Sequence, residues 1–196
     1  MAASIRVQRC HSLFAKTSGF QNKNTRERFR AIGSDEWLVI TTTKKKRNKD
    51  VLEAMLYLGL GQAELKNLSG EHFDFEKGQI TIRRQKTQRV FLVPVYPQAR
   101  PLLERFKKEG RIMAGKPLFE RVVPREAISY ACRRLGFPQF SPRSFRRAFI
   151  IRALEKGIDP RCVAAWQGHR DATLVLRVYG HLIHPKHSQE MAQRMK

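Results

Sequence analysis

Hydrophobic residues recur at helical spacing through most of the chain and alternate with polar residues in only one stretch. A short helix is predicted at 34–40, where Ser34 is placed as the cap before two acidic residues. Residues 41–49, TTTKKKRNK, are polar and basic and predict a connection. Asp50 is expected to cap a helix over 50–61 whose buried face contains Val51, Leu52, Met55, Leu56 and Leu58. A second short helix is predicted to follow at 62–68.

The hydrophobic period changes to two in the middle of the chain. QITIRR (79–84) and RVFLVPV (89–95) are rich in β-branched and aromatic residues, and the turn QKTQ between them predicts a hairpin. Helical spacing then returns in five segments, the first four of which end at glycine: 97–110, 124–136, 143–157, 159–168 and 172–182. The predicted fold is therefore mainly α with a small antiparallel sheet, formed by residues 34–183. We expect a basic extension over 1–33 and a polar tail over 184–196.

The last predicted helix carries the residue that decides between a structural and a chemical interpretation of the chain. Its spacing places Val175, Leu176, Tyr179 and Leu182 on one stripe, which is typical of a packed face. On spacing alone, Tyr179 is more often a buried aromatic than a nucleophile.

The charge balance indicates a polyanionic partner. Lysine and arginine number 39 against 17 acids, which gives a formal net charge of +22. Solubility needs no such excess, and nucleic acid is the commonest partner of so basic a domain. No apolar run approaches the roughly 18 residues of a membrane-spanning helix, so a membrane is not expected as a partner.

The three cysteines, Cys10, Cys132 and Cys162, are widely spaced and form no CxxC pair. This argues against a disulfide scaffold or a zinc site and favours a reducing compartment. The first 26 residues lack acids, as transit peptides do, but they also lack a sustained apolar face, so no targeting segment is expected.

Lys86 lies at the tip of the predicted hairpin, flanked by Arg83, Arg84 and Arg89. A lysine at a turn tip is commonly only solvated. On a two-stranded ribbon, its long side chain can also enter a nucleic-acid groove and protonate a leaving oxygen.

A second basic cluster opens the helix predicted at 143–157. Pro142 precedes this helix, so Arg143, Arg146 and Arg147 crowd its first turn. Free backbone N–H groups, the positive end of the helix dipole and the guanidinium groups would all favour a phosphate there. The alternative is an exposed basic turn.

His169 and Tyr179 complete the candidate chemistry. His169 follows the helix-ending Gly168, where a lone histidine is more often structural than catalytic. A phenol has a pKa near 10 and needs nearby cations to act as a nucleophile. Lysine, clustered arginines, histidine and tyrosine together are sufficient for metal-free attack on a phosphodiester, so neither a metal nor a cofactor is expected.

The order of these motifs resembles the catalytic domain of the tyrosine recombinases, the phage integrase family. RNKDVLEAMLYLGLGQAELKNL is similar to the family's first box, and QITIRRQKTQRVFLVPV to its lysine-bearing hairpin. SPRSFRRAFIIRALEKGIDPRCVAAWQGHRDATLVLRVYGHL is similar to the second box and the segment that leads to the nucleophile. The resemblance covers about residues 34–182.

The resemblance implies breakage and rejoining of double-stranded DNA without a cofactor. It implies that Tyr179 forms a 3′-phosphotyrosyl bond, that Arg146 is the second catalytic arginine, that His169 orients the phosphate and that Lys86 is the general acid. We expect DNA contacts from the other basic side chains near these motifs: Arg83, Arg84, Arg89, Arg147, Arg170, Lys44, Lys45 and Lys46. The family also implies self-association on DNA through the tail, and a cytoplasmic, nucleoid-associated location.

Three features depart from the family's pattern. Gly61 occupies the position of the first-box arginine, and Arg143 stands where a histidine or lysine is usual. Loss of one oxyanion donor costs on the order of 10²–10³ in rate, part of which Arg143 could recover. Residues 1–33 are too few to form the DNA-clamping helical domain that usually precedes the catalytic one. Two hypotheses therefore stay open: a recombinase with weakened cleavage, and a catalytically inactive DNA-binding protein with a regulatory or architectural role. A basic RNA-binding protein is a third alternative, but it would need no ordered Arg–His–Tyr series.

Overall fold

The computed structural model describes residues 34–84, 87–180 and 192–193. The first helices are α1 (Ser34–Thr42), α2 (Lys46–Leu58) and α3 (Gln62–Lys66), followed by a 3-10 turn at Gly70–His72. The sheet contains β1 (Phe73–Asp74), β2 (Gln79–Arg83) and β3 (Val90–Pro94). Five helices follow: α4 (Arg100–Lys108), α5 (Pro124–Leu135), α6 (Arg143–Glu155), α7 (Pro160–Trp166) and α8 (Thr173–Tyr179). The predicted fold class is confirmed. The predicted extension over 1–33 and all but two residues of the predicted tail lie outside the described residues.

Helix α2 begins four residues before the predicted start. The prediction of a connection over 41–49 was wrong, because this segment supplies the end of α1 and the first turn of α2. Asp50 is therefore not a cap. It is buried inside α2, and its carboxylate accepts hydrogen bonds from Arg105 at 2.8 Å and Arg111 at 2.5 Å. The predicted apolar face of this helix is confirmed, because all five of its members are at most 1% exposed: Val51, Leu52, Met55, Leu56 and Leu58.

The sheet is antiparallel in the order β1-β2-β3, and the predicted hairpin is its larger part. Ile80 pairs with Val93 and Ile82 with Phe91, and all four side chains are buried, as the period of two requires. β1 was not predicted, because two residues are too few to show an alternating pattern.

Packing brings the ends of several elements to one place. α2 packs against α6, α7 packs against both α6 and β3, and α8 packs against α7. Gly59, which ends α2, has φ +67°, and a Cβ there would lie 2.6 Å from the ring of Phe149 and 2.5 Å from Nε2 of Gln167. Only glycine permits this close approach, which places the connection between α2 and α3 beside the end of α7.

The predicted stripe on α8 is partly wrong. Val175 is fully buried and Tyr179 is 6% exposed, but Leu176 is 48% exposed. α8 packs against α7, and Leu176 lies on the side of the helix that this packing leaves exposed, so the buried face is narrower than the spacing predicted. Leu182 lies outside the described residues.

Candidate phosphate-binding site

Helix α7 ends in a tight reversal that leaves two backbone carbonyls free for side chains. Gly168 has φ +61°, and a Cβ there would lie 2.6 Å from the ring of Phe91, so this position requires glycine. The N–H groups of Gly168 and His169 donate back into the helix, to the carbonyls of Ala165 and Ala164 at 2.9 Å. The carbonyls of residues 167 and 168 thereby face the end of β2 and the start of α6.

Two arginines from different elements converge on these carbonyls. Arg84 follows β2, and it donates from Nη2 to the Gln167 carbonyl at 2.8 Å and from Nη1 to the Gly168 carbonyl at 3.2 Å. Arg146, in the first turn of α6, donates from Nη2 to the same Gln167 carbonyl. The two guanidinium groups are therefore held side by side over the end of α7.

One carboxylate serves both arginines. Oε1 of Glu64, on α3, lies 3.4 Å from Nε of Arg84 and 3.4 Å from Nη1 of Arg146. The Glu64 side chain is only 10% exposed, and those of Arg84 and Arg146 are 26% and 17% exposed. Burial lowers the pKa of Arg146, the charge of Glu64 opposes this shift, and the charge of Arg84 reinforces it. Two positive charges thus share one negative charge in a partly buried site.

His169 lies next to this pair and is held neutral. Burial lowers its pKa, and the charges of Arg146, Arg84 and Arg89 lower it further, against a smaller opposing effect of Asp171. Its Nδ1 is buried and has no hydrogen-bond partner among the described residues. A neutral imidazole retains one N–H donor for a phosphate oxygen.

Tyr179 is both a buried aromatic and a neighbour of the arginines. Burial raises the pKa of its phenol, and the charges of Arg147 and Arg146 act in the opposite direction. The phenol is therefore protonated at neutral pH, and the cations beside it are the groups that would stabilise negative charge on its oxygen.

The remaining predicted site residues surround this cluster or lie apart from it. Arg143 is exposed and has no hydrogen-bond or ion-pair partner in the part of the chain that the structure describes, and Lys86 lies outside that part. Arg147 is half-buried. Lys46 pairs with Glu109 at 2.7 Å. The other predicted DNA contacts are exposed side chains: Arg83, Arg89, Arg170, Lys44 and Lys45. An open pocket beside His169 is lined by Arg84, Thr87, Arg89, Gly168, His169, Arg170, Asp171 and Leu174.

Sequence reasoning missed Glu64 as the shared counter-charge and the Gln167 carbonyl as the shared acceptor. Glu64 could have been found, because it lies one helical turn after Gly61 in the segment that resembles the first box. The carbonyl had no signal in the sequence, because every residue carries one.

The described ranges contain neither a candidate metal site nor a membrane-spanning helix. Across residues 34–84 and 87–180, no three histidine, cysteine or acidic side chains are grouped so that they could hold a metal ion. Within the same ranges, no helix combines the length and apolar character needed to cross a membrane.

Comparison with known proteins places the described ranges within one family. The model of the phage integrase family matches residues 35–184. The chain is 29% identical to the tyrosine recombinase XerA of Pyrococcus furiosus, over 80% of this chain and 58% of that protein. It therefore spans little more than half the length of this relative.

Two solved structures show the same fold. The catalytic domain of bacteriophage HP1 integrase superposes with a TM-score of 0.63 at 17% identity, covering 82% of this chain and 91% of that one. The Tn1549 transposon integrase in complex with circular intermediate DNA gives a TM-score of 0.62 at 17% identity, covering 83% and 65%.

Proposed function

The chain belongs to the phage integrase family, and we propose from this premise that it breaks and rejoins DNA strands through a phosphotyrosyl bond at Tyr179. The observation that carries the proposal is the convergence of Arg146 and His169 with Tyr179. Arg146 is close enough for its charge to lower the pKa of both the His169 imidazole and the Tyr179 phenol. Two relatives agree with it: XerA is named a tyrosine recombinase, and the Tn1549 integrase was solved with DNA.

In the proposed cleavage step, the Tyr179 oxygen attacks a DNA phosphorus and its proton is released to solvent. The bond from phosphorus to the 5′-oxygen breaks, and Lys86 donates the proton that this oxygen takes up. Arg146 and neutral His169 donate hydrogen bonds to the non-bridging oxygens, which carry the growing negative charge. The phosphotyrosyl bond conserves the energy of the broken bond. A 5′-hydroxyl can then reverse the step and rejoin a strand without a cofactor.

The rest of the basic surface is proposed to hold the DNA duplex. The exposed side chains of Arg89 and Arg170 line the pocket beside His169, and Arg83 is exposed at the end of β2. Phosphate contacts by such side chains make DNA affinity fall as salt rises, by about 0.9 in log K per contact and per unit of log salt. We further propose that the tail over 184–196 mediates self-association on DNA, and that the protein is associated with the nucleoid.

A second candidate function is DNA binding without cleavage. Gly61 favours it, because glycine has no side chain that could donate to the phosphate, or bring a positive charge, from the side of the pocket next to Glu64 and Arg146. The same experiment separates the two candidates, because only the first forms a covalent bond to DNA.

The test uses a fluorescent pool of nicked DNA duplexes whose central sequence is randomised. Cleavage near the nick lets the short 5′-hydroxyl fragment diffuse away, which traps the covalent intermediate. We expect an SDS-resistant protein–DNA adduct with the natural chain and none with Tyr179→Phe. Tyr130→Phe is the matched control, because Tyr130 is exposed on α5 and its hydroxyl accepts a hydrogen bond from Arg134 at 3.1 Å. DNA binding without any adduct would favour the second candidate.

A further inference from the structure

We propose that Arg84 supplies the phosphate-binding guanidinium on the side of the pocket that Gly61 leaves without a cation. This assignment rests on the proposed function for the identity of the anion, a DNA backbone phosphate. Arg84 would thus do from the end of β2 what an arginine at position 61 would do from the start of α3.

The positions of the atoms connect the two residues. A Cβ built on Gly61 would lie 2.5 Å from Oε2 of Glu64 and 4.0 Å from Nη1 of Arg146. A side chain at position 61 would therefore enter the group formed by Glu64 and Arg146. Arg84 reaches the same group from across the site, at 3.4 Å from Glu64. Glycine at position 61 leaves that carboxylate available to Arg84.

Arg84 is held in a fixed orientation that suits an anion. Its guanidinium lies over the ring of Phe91, 5.5 Å from the centroid, and it donates to the carbonyls of Gln167 and Gly168. These two bonds and the Nε–H directed at Glu64 use three of its five N–H groups, and one N–H on each terminal nitrogen has no partner among the described residues. A fixed guanidinium loses little side-chain entropy when it binds a phosphate.

The site around Arg84 has more positive than negative charge, and a bound anion would balance it. Arg84 and Arg146 face a single carboxylate, and both N···O distances are 3.4 Å. Charge-assisted hydrogen bonds between such groups are usually about 2.7–2.9 Å long, so Glu64 satisfies neither arginine fully. A phosphate oxygen at the remaining N–H groups would supply the missing negative charge.

The first test measures the rate of adduct formation on the nicked pool. Arg84→Ala should lower this rate on the order of 10²–10³, as removal of one oxyanion donor does. The double variant Gly61→Arg/Arg84→Ala should recover at least about tenfold of the loss. Gly61→Arg alone should gain less than about threefold, because Arg84 already occupies the site. Arg125→Ala, at an exposed position on α5, is the matched control and should stay within about twofold.

Rescue separates phosphate binding from a merely structural role. If Arg84 only tied down the reversal at Gly168, an arginine at position 61 would not replace those bonds, and the double variant would be as slow as Arg84→Ala. That result would overturn the assignment. If Arg84→Ala does not fold, Arg84→Lys keeps the charge and loses the planar fork. It should form adduct at least about tenfold more slowly, and an unchanged rate would overturn the assignment.

A second measurement does not depend on cleavage. In the Tyr179→Phe background, affinity for a 30-base-pair duplex is measured against salt concentration. Arg84→Ala should reduce the slope of log K against log salt by about 0.9, and Arg125→Ala should not change it. If the natural chain forms no adduct but Arg84→Ala reduces the slope, the cleavage function fails and the Arg84 phosphate contact stands. If the natural chain forms adduct while Arg84→Ala changes neither rate nor slope, the Arg84 assignment fails and the function stands.

Discussion

Replacing Glu64 by glutamine tests whether one carboxylate stabilises the two arginines of the site. The substitution keeps the shape of the side chain and an acceptor oxygen but removes the negative charge. Arg84 and Arg146 would then lie side by side over the end of α7 with no counter-charge at Oε1. We expect the free protein to lose stability and DNA to restore part of it.

The size of the loss follows from burial. Removing one partner of a buried ion pair costs about 3–5 kcal/mol. The retained amide oxygen recovers about 1 kcal/mol as a hydrogen-bond acceptor. Arg84 is 26% exposed, so water solvates part of its charge. The free energy of unfolding should therefore fall by about 2–3 kcal/mol.

Urea denaturation with and without a saturating 30-base-pair duplex measures both effects. Without DNA, Glu64→Gln should shift the midpoint and leave the slope with denaturant unchanged. With DNA, the difference from the natural chain should shrink by more than half, because a phosphate replaces the missing charge. Glu104→Gln, at an exposed position on α4, is the control and should change stability by less than about 0.5 kcal/mol. A loss for Glu64→Gln no larger than this control would refute the shared counter-charge.

Three further changes test other parts of the fold and the site. Asp50→Ala should cost about 2–3 kcal/mol in denaturant, because Arg105 and Arg111 lose their buried carboxylate and keep only Glu53 and Glu109, whereas Lys77→Ala in an exposed pair should cost less than about 1 kcal/mol. The folded state lowers the pKa of His169, so the unfolded chain binds a proton more readily. Stability should fall as the pH drops below about 6.5, and His169→Asn should flatten this part of a pH-dependent melting curve. Gln167→Met should raise the free energy of unfolding by about 1–2 kcal/mol in thermal melts, since both polar atoms of this side chain are buried without partners among the described residues.

The parts of the fold that follow from short-range periodicity were predictable. The alternation of apolar and polar residues in β2 and β3 predicted the hairpin, and the helical spacing of apolar residues in α2 predicted its buried face. The start of α2 was not predictable, because the first turn is polar and exposed while the buried Asp50 is stabilised by arginines more than 50 residues away. Leu176 was assigned to the core because spacing does not reveal which side of α8 its neighbours leave exposed.

The candidate site was predictable in its residue types but not in its pairing. The order of motifs singled out Arg146, His169 and Tyr179. Glu64 contacts Arg84 and Arg146, which lie 20 and 82 residues further along the chain, and no local pattern encodes such contacts. Arg83 and Arg84 were also indistinguishable in sequence. The register of β2 leaves Arg83 exposed, whereas Arg84, one residue past the strand, turns inward.

The most direct test of the proposed cleavage is to locate the residue that becomes bonded to DNA. The adduct formed on the nicked pool is digested with nuclease and trypsin, and the peptide that carries a nucleotide is sequenced by mass spectrometry. The expected peptide covers residues 178–186, VYGHLIHPK, with a 3′-phosphonucleotide on Tyr179. A nucleotide on any other residue, or a natural chain that binds the duplex and carries none, would contradict the assignment of Tyr179 as the nucleophile.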